Sequence, residues 1–419
     1  MPRDSCWSRR RPNKLSLQSR PTAPGEAVRA LRGRAQHSAL GAACAALAIF
    51  GAGCSSGAHG GHGQAPGRDG SGVAAARNEL ARFRALPTFV APGPAFAATT
   101  HLRGTRIFEI PITSSVPFVA AVEQGMRQAA SVVGAQLVAY TNEGQPSQWA
   151  QGITTAIAQR ADAIVLFAQD PQLVGPQIAQ ARRAGIPVIV LRTTGEGEPC
   201  QSDRSGAALA TACVPGPFEQ AGRLEADAVI SQGAGEADAL VITSSDARST
   251  QPLVRGLRQE LHLRCPACRT RSVDVPIPEW PARIRTEVQS ALVRDPAIDY
   301  VVPIYDSMSQ FVVPAIAASG ARGRVKIDTF NGTPFVLKLL QDRNVVAMDV
   351  GESLAWVGWA SMDQVFRVIA GEPPARSEHT PARVFDASNV GEAGNPPRFD
   401  TGYGNAYVDG YRKLWGASK

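Results

Sequence analysis

From Arg106 onward the chain repeats one pattern: a short, nearly continuous apolar run, a polar break, then a longer segment with apolar residues three and four positions apart. "RIFEIPIT" precedes "PFVAAVEQGMRQAASVVG", "AQLVAYTN" precedes "SQWAQGITTAIAQRA", and "DAIVLFAQ" precedes "DPQLVGPQIAQARRAG". The run "IPVIVLR" closes this set. Short runs that are apolar on both faces predict buried strands, and the 3.6-residue period predicts amphipathic helices. Their alternation predicts an α/β fold whose parallel sheet is covered by helices on both faces. The loop from Cys200 to Cys213 interrupts the rhythm, which resumes with "PFEQAGRLEADAVISQG" and "ADALVITSS" and continues through "VVAMDV". Two such sets predict two similar Rossmann-like lobes. Ligands of open parallel sheets sit outside the carboxyl ends of the strands, so two facing lobes define one cleft.

The regions before Arg106 do not follow this pattern. A basic head is followed by "SALGAACAALAIFGAGCSS", whose apolar core is too short to span a bilayer and has the length of a signal-peptide core. The small residues Gly51 to Gly53 lead into Cys54, which resembles a bacterial lipobox, with Gly51 where Leu is usual. Cys54 is therefore the expected lipidation site and mature N-terminus. "SRRRPNKLSL" resembles a twin-arginine signal but lies too far ahead of the core to act as one, and Val28 is an alternative start. Residues 54–104 are expected to form a flexible tether, Gly- and Ser-rich at first, carrying His59 and His62 and then one short helix at "VAAARNELARFRAL". The expected division is 1–53 signal peptide, 54–104 tether, 105–212 plus 352–386 first lobe, and 213–351 plus 387–419 second lobe.

The net charge of +7 does not alter this picture. Nine Lys and Arg against Asp4 and Glu26 place all of it in the first 40 residues, and from Cys54 onward the count is 34 against 34. A neutral body gives no electrostatic reason to expect nucleic acid as a partner. Beyond Cys54 the cysteines are Cys200, Cys213, Cys265 and Cys268, an even set that points to two disulfides in an exported chain. "CPAC" also has the form of a redox motif or half a zinc site. Redox chemistry wants the first cysteine at a helix N-terminus, whereas Cys265 follows the helical "LVRGLRQELHLR", and no second CxxC is present to complete a zinc site.

The segments "PFVAAVEQGMRQAASVVGAQLVAY", "DAIVLFAQDPQLVGPQIAQARRAGIPVIVL" and "IDTFNGTP" resemble the periplasmic binding-protein type I superfamily of the ribose and galactose kind, over roughly Arg106 to Ala370. LacI-type repressors share that fold, but here an export signal stands where their helix-turn-helix would be. The resemblance implies a three-stranded hinge between the lobes and a set of strand-end ligand contacts. By position these are Ser114, Ser115, Phe118, Arg192 and Thr193 in the first lobe. Gln251, Trp280, Tyr305, Asp306, Asn331 and Glu352 follow in the second. Ribose binders carry an Asp-Arg pair where Arg192 and Thr193 stand, so the acidic acceptor for sugar hydroxyls is absent, and Asn331 replaces the usual Asp.

An aromatic plate such as Trp280 with planar donors and acceptors suits a polyhydroxy ligand, and Arg192 alternatively suits a carboxylate or phosphate. Asp306 is equally well placed to cap the helix "SMSQFVVPAI", and Trp356 and Trp359 lie at core spacing. There is no GxSxG elbow, Walker loop or HExxH, and His101 and His379 are isolated. No enzyme, metal or cofactor is expected. The expected protein is a monomeric, lipid-anchored solute-binding component that delivers a sugar or polyol to an ABC permease. A sensory receptor read by a membrane kinase or chemoreceptor uses the same lobes and remains an alternative.

Overall fold

The computed structural model describes residues 70–376 and 378–417. The basic head, Cys54, His59 and His62 lie outside them. Among the described residues no helix is long and apolar enough to cross a membrane, and no three His, Cys, Asp or Glu are grouped to hold a metal ion.

The chain enters through α1 (Ser71–Phe83) and α2 (Ala98–Leu102) and then builds its first sheet from β1 (Arg106–Pro111), β2 (Gln136–Ala139), β3 (Ala163–Phe167), β4 (Val188–Gly195) and β5 (Ala212–Gly216). All neighbours in the order β2-β1-β3-β4-β5 run parallel, as continuous apolar runs require. The crossovers are α3 (Pro117–Val133), α4 (Pro146–Ala158) and α5 (Gly175–Arg183). Proline in the first turn starts each of them, where its missing N–H costs nothing.

The second sheet has the order β11-β10-β9-β8-β6-β7. Its strands are β6 (Asp238–Thr243), β7 (Arg269–Asp274), β8 (Tyr300–Pro303), β9 (Lys326–Asn331), β10 (Val346–Glu352) and β11 (Ala382–Asp386). Around it lie α6 (Phe218–Gln232), α7 (Thr250–Arg264), α8 (Trp280–Arg294), α9 (Ser309–Ala318) and α10 (Pro334–Gln341). α6 and α7 touch backbone to backbone: a Cβ added at Gly222 would lie 2.0 Å from the Leu253 carbonyl oxygen. After β10 the chain returns to the first lobe as α11 (Leu354–Ala370), which packs on α3, and it ends there as α12 (Ala406–Leu414).

Two α/β lobes are therefore present, but several segments sit differently from the sequence expectation. β11, assigned to the first lobe, pairs antiparallel with β10 at the edge of the second sheet. β5 pairs with β4 through Gly216, beyond the expected boundary at 212. α12, assigned to the second lobe, packs on the first, with Trp356 stacked on Tyr407 and Trp359 on Trp415. The tether also differs. α1 docks on α6, α7 and β11, burying Ala76 and Leu80, and the segment expected to be irregular contains α2 on α11 and α3.

Between α1 and α2 the chain therefore passes from the second lobe to the first. Residues 84–97 hold both. Arg84 pairs with Asp386 of β11, and its carbonyl accepts from Arg383 at 2.9 Å. Phe89 lies 5.9 Å from Trp356 and 5.0 Å from Tyr411, and Arg367 of α11 donates to the Pro94 carbonyl. This strap and the segment leading into α12 add two connections to the three expected, which are those after β5, after β10 and before β11.

Candidate functional site

The carboxyl ends of both sheets face one another across a cleft. From the first lobe Ile112, Val116, Phe118, Val119, Ala168 and Arg192 line it. Phe218 at the start of α6 joins them, and from the second lobe come Ala247, Ser249, Ile277, Trp280, Tyr305, Ser307 and Asn331. Three of these residues have positive φ: Ala168 (72°) just past β3, Asn331 (147°) at the end of β9, and Arg192 (63°) within β4. Such conformations cost roughly 1–3 kcal/mol for residues with a Cβ and concentrate at functional sites. The β4–β5 register shifts just beyond Leu191, which turns the Arg192 side chain out of the strand alternation.

Arg192 and Glu352 close on each other as a two-pronged ion pair, one prong 3.0 Å long, with side chains 2% and 0% exposed. Burial raises the Glu352 carboxyl above its usual range, while the guanidinium and a hydrogen bond from Asn331 hold it down. Gly216 leaves the space this needs, since a Cβ there would lie 2.7 Å from the Arg192 guanidinium. The guanidinium also lies over Phe218, 4.7 Å from the ring centre, and its Nε has no protein partner.

The other polar residues expected at the site are arranged as follows. Asp306 is fully buried and accepts from the Thr333 amide and hydroxyl, both at 2.5 Å, so it fixes the turn after β9 and neither caps a helix nor faces the cleft. Burial raises its carboxyl above the usual range, partly offset by the Thr333 bonds. Tyr305 reaches the cleft, but its hydroxyl is shared by Ser249 at 2.8 Å and Thr250 at 3.0 Å; burial pushes the phenol up to about 12. The Trp280 indole N–H donates to Ser244 Oγ at 2.8 Å, leaving the ring as an apolar wall 6.5 Å from Tyr305.

Besides Asp306 and Glu352, four expected residues lie away from the cleft lining. Ser114 and Ser115 are exposed and engage Asn142 and Thr113, and Thr193 is buried. Gln251 is exposed beside a separate groove with Thr243 and Arg255. His379, isolated in the sequence, pairs with Glu196 at 2.7 Å, which raises its pKa. Sequence reasoning missed Ile112, Ala168, Phe218, Ala247 and Ile277. Each stands within a few positions of a strand's carboxyl end, so the strand-end rule applied to apolar as well as polar residues would have found them.

Ion pairs rim the cleft. Arg248 reaches Asp170 at 3.5 Å, and Arg255 reaches Glu198 at 3.1 Å, each joining the second lobe to the first. The periplasmic binding protein domain model matches residues 107–373, well over half of the chain. The chain belongs to the periplasmic binding protein family. This binding protein is similar to a solute-binding protein of an ABC transporter from Agrobacterium vitis, solved with bound α-D-tagatopyranose. The two are 19% identical with a TM-score of 0.61, over 68% of this chain and 96% of that one. A sugar ABC transporter protein from Yersinia enterocolitica is 15% identical with a TM-score of 0.64, over 78% and 98%. A carbohydrate transporter protein from Acidothermus cellulolyticus, in complex with myo-inositol, is 20% identical with a TM-score of 0.57, over 69% and 96%. Comparison with curated protein sequences finds no match. The family is one of binding proteins. The strap and α12 both lie outside the matched residues.

The cysteines meet as the sequence suggests. Cys200 and Cys213 have Cα atoms 5.9 Å apart, and Cys265 and Cys268 5.3 Å, both within the range of disulfides. Cys265 caps the C-terminus of α7, where no helix dipole stabilises a thiolate.

Proposed function

We propose that this protein is an exported, lipid-anchored solute-binding component that captures a small molecule between its lobes and passes it to an ABC permease. One observation carries the reading: a single cleft at the carboxyl ends of both sheets is lined from both lobes. A ligand touching both lobes stabilises their closed arrangement by its differential affinity, and closure is the signal a permease reads. The similar structures from Agrobacterium vitis and Acidothermus cellulolyticus hold a tagatopyranose and myo-inositol, which supports a solute of the size of a sugar or cyclitol. Export and anchoring rest on the signal-like head and Cys54, and the two cysteine pairs are oxidised disulfides in this reading. The protein acts as a monomer.

Native mass spectrometry of the protein isolated from membranes tests these points together. The expected result is one protomer carrying a small noncovalent ligand, a diacylglyceryl adduct at Cys54 and the mass deficit of two disulfides. An unliganded protein whose scattering profile stays unchanged with every solute offered would overturn the binding reading. A receptor read by a membrane kinase uses the same closure, and copurification with a permease decides for transport.

A further inference from the structure

The reading of the cleft as a solute site can be taken further through the hydrogen-bonding groups that line it. A polyhydroxylated ligand needs a donor or acceptor for nearly every hydroxyl, and each one buried unpaired weakens binding by roughly tenfold or more. In this cleft most of those partners are already occupied, Ser307 by Asp306 and Asn331 by Glu352 among them. The two terminal nitrogens of Arg192 are held by Glu352, and the Trp280 N–H is held by Ser244. The Tyr305 hydroxyl is engaged by Ser249 and Thr250. What faces the space is apolar from both sides: Ile112, Val116 and Phe118 from the first lobe, Ala247, Ile277 and the Trp280 ring from the second. Charge is balanced as well, because the Arg192 guanidinium is paired with Glu352, so an anion gains no free cation here.

We propose that the cleft takes an uncharged ring compound bearing one or two hydrogen-bonding groups, with an acceptor oxygen directed at the unpartnered Arg192 Nε. This donor is buried on a side chain that lines the space and lacks a partner within the protein. Aromatic and aliphatic walls on both lobes grip the two faces of the ring. Closure then buries apolar surface from both sides at once, and the signature of such binding is a negative heat-capacity change.

Calorimetry on the wild-type protein with two panels tests this. The first panel is cyclohexanone, benzyl alcohol and 4-methylphenol; the second is D-allose, allitol and myo-inositol. The expected result is that at least one ring compound binds tenfold or more tighter than every polyol, with negative ΔCp and a raised melting temperature. A polyol that binds as tightly as the best ring compound overturns the ligand class while leaving the binding-protein reading intact. Silence from both panels also counts against it. Ala247→Leu, which fills the cleft, is expected to weaken the ring compound at least tenfold. Undiminished binding in this variant places the compound elsewhere and overturns the proposal. Should Ala247→Leu melt lower than wild type, Ser249→Leu at the same wall takes its place.

Discussion

Glu109 lies on β1 with both carboxylate oxygens buried and without a donor. Burial pushes its pKa up to about 8, Glu123 adds to the shift, and Arg127 opposes it. The folded protein therefore holds a proton that the unfolded chain releases near 4.5. Below that pH the group costs nothing. As the pH rises from 4.5 toward 8 the unfolded state ionises and the folded state cannot, so stability falls, and above 8 the loss is complete. Asp328, raised to about 7, acts in the same direction. Glu109→Gln is expected to leave the melting temperature nearly unchanged at pH 5 and to raise stability by about 2–5 kcal/mol at pH 9. Melts across that range check it, and a variant that loses stability equally at both ends contradicts it. At this scale the sequence showed the residue types but not their partners. Arg192 and Glu352 stand far apart in the chain and each looked like a ligand contact, whereas the fold joins them to each other. Phe118 and Trp280 do line the cleft, because they follow strand ends, a position readable from the pattern alone.

Helices α6 and α7 touch where Gly222 meets the Leu253 carbonyl, so neither can carry a side chain there without moving apart. Gly222→Ala gains helix propensity of about 1 kcal/mol. It also forces a methyl to within 2.0 Å of backbone oxygen, and overpacking of this kind costs about 1–3 kcal/mol or more. The clash wins, and a lower melting temperature is expected; an unchanged or higher one would show that the helices separate freely. Elements with a strong period, such as β3, β4 and α3, were legible because apolar spacing determines both type and face. β11 was misplaced because a short edge strand carries no signal for its neighbour, and here it joins β10 antiparallel although α11 intervenes. α1 was recognised as a helix but given no docking site, since Ala76 and Leu80 find their apolar partner only once α6 is folded.

Across the whole molecule the lobes are joined by more than a hinge. The strap of residues 84–97 is fixed to β11 by Arg84 and to α11 and α12 by Phe89, so opening the cleft loads these contacts along with the hinge strands. Aromatic pairs of this kind contribute about 0.5–1.5 kcal/mol each beyond the area they bury. Phe89→Ala is expected to widen the opening of the unliganded protein in small-angle scattering and to speed ligand release by up to roughly tenfold. Unchanged scattering and unchanged release would mean that the strap is passive. Its route has a further use. Because the strap begins on one lobe and α12 ends on the other, the two ends of the described chain travel with opposite halves of the molecule. Fluorophores on exposed Asn78 of α1 and Lys413 of α12 would report solute capture as a change in energy transfer, without altering any residue that lines the cleft.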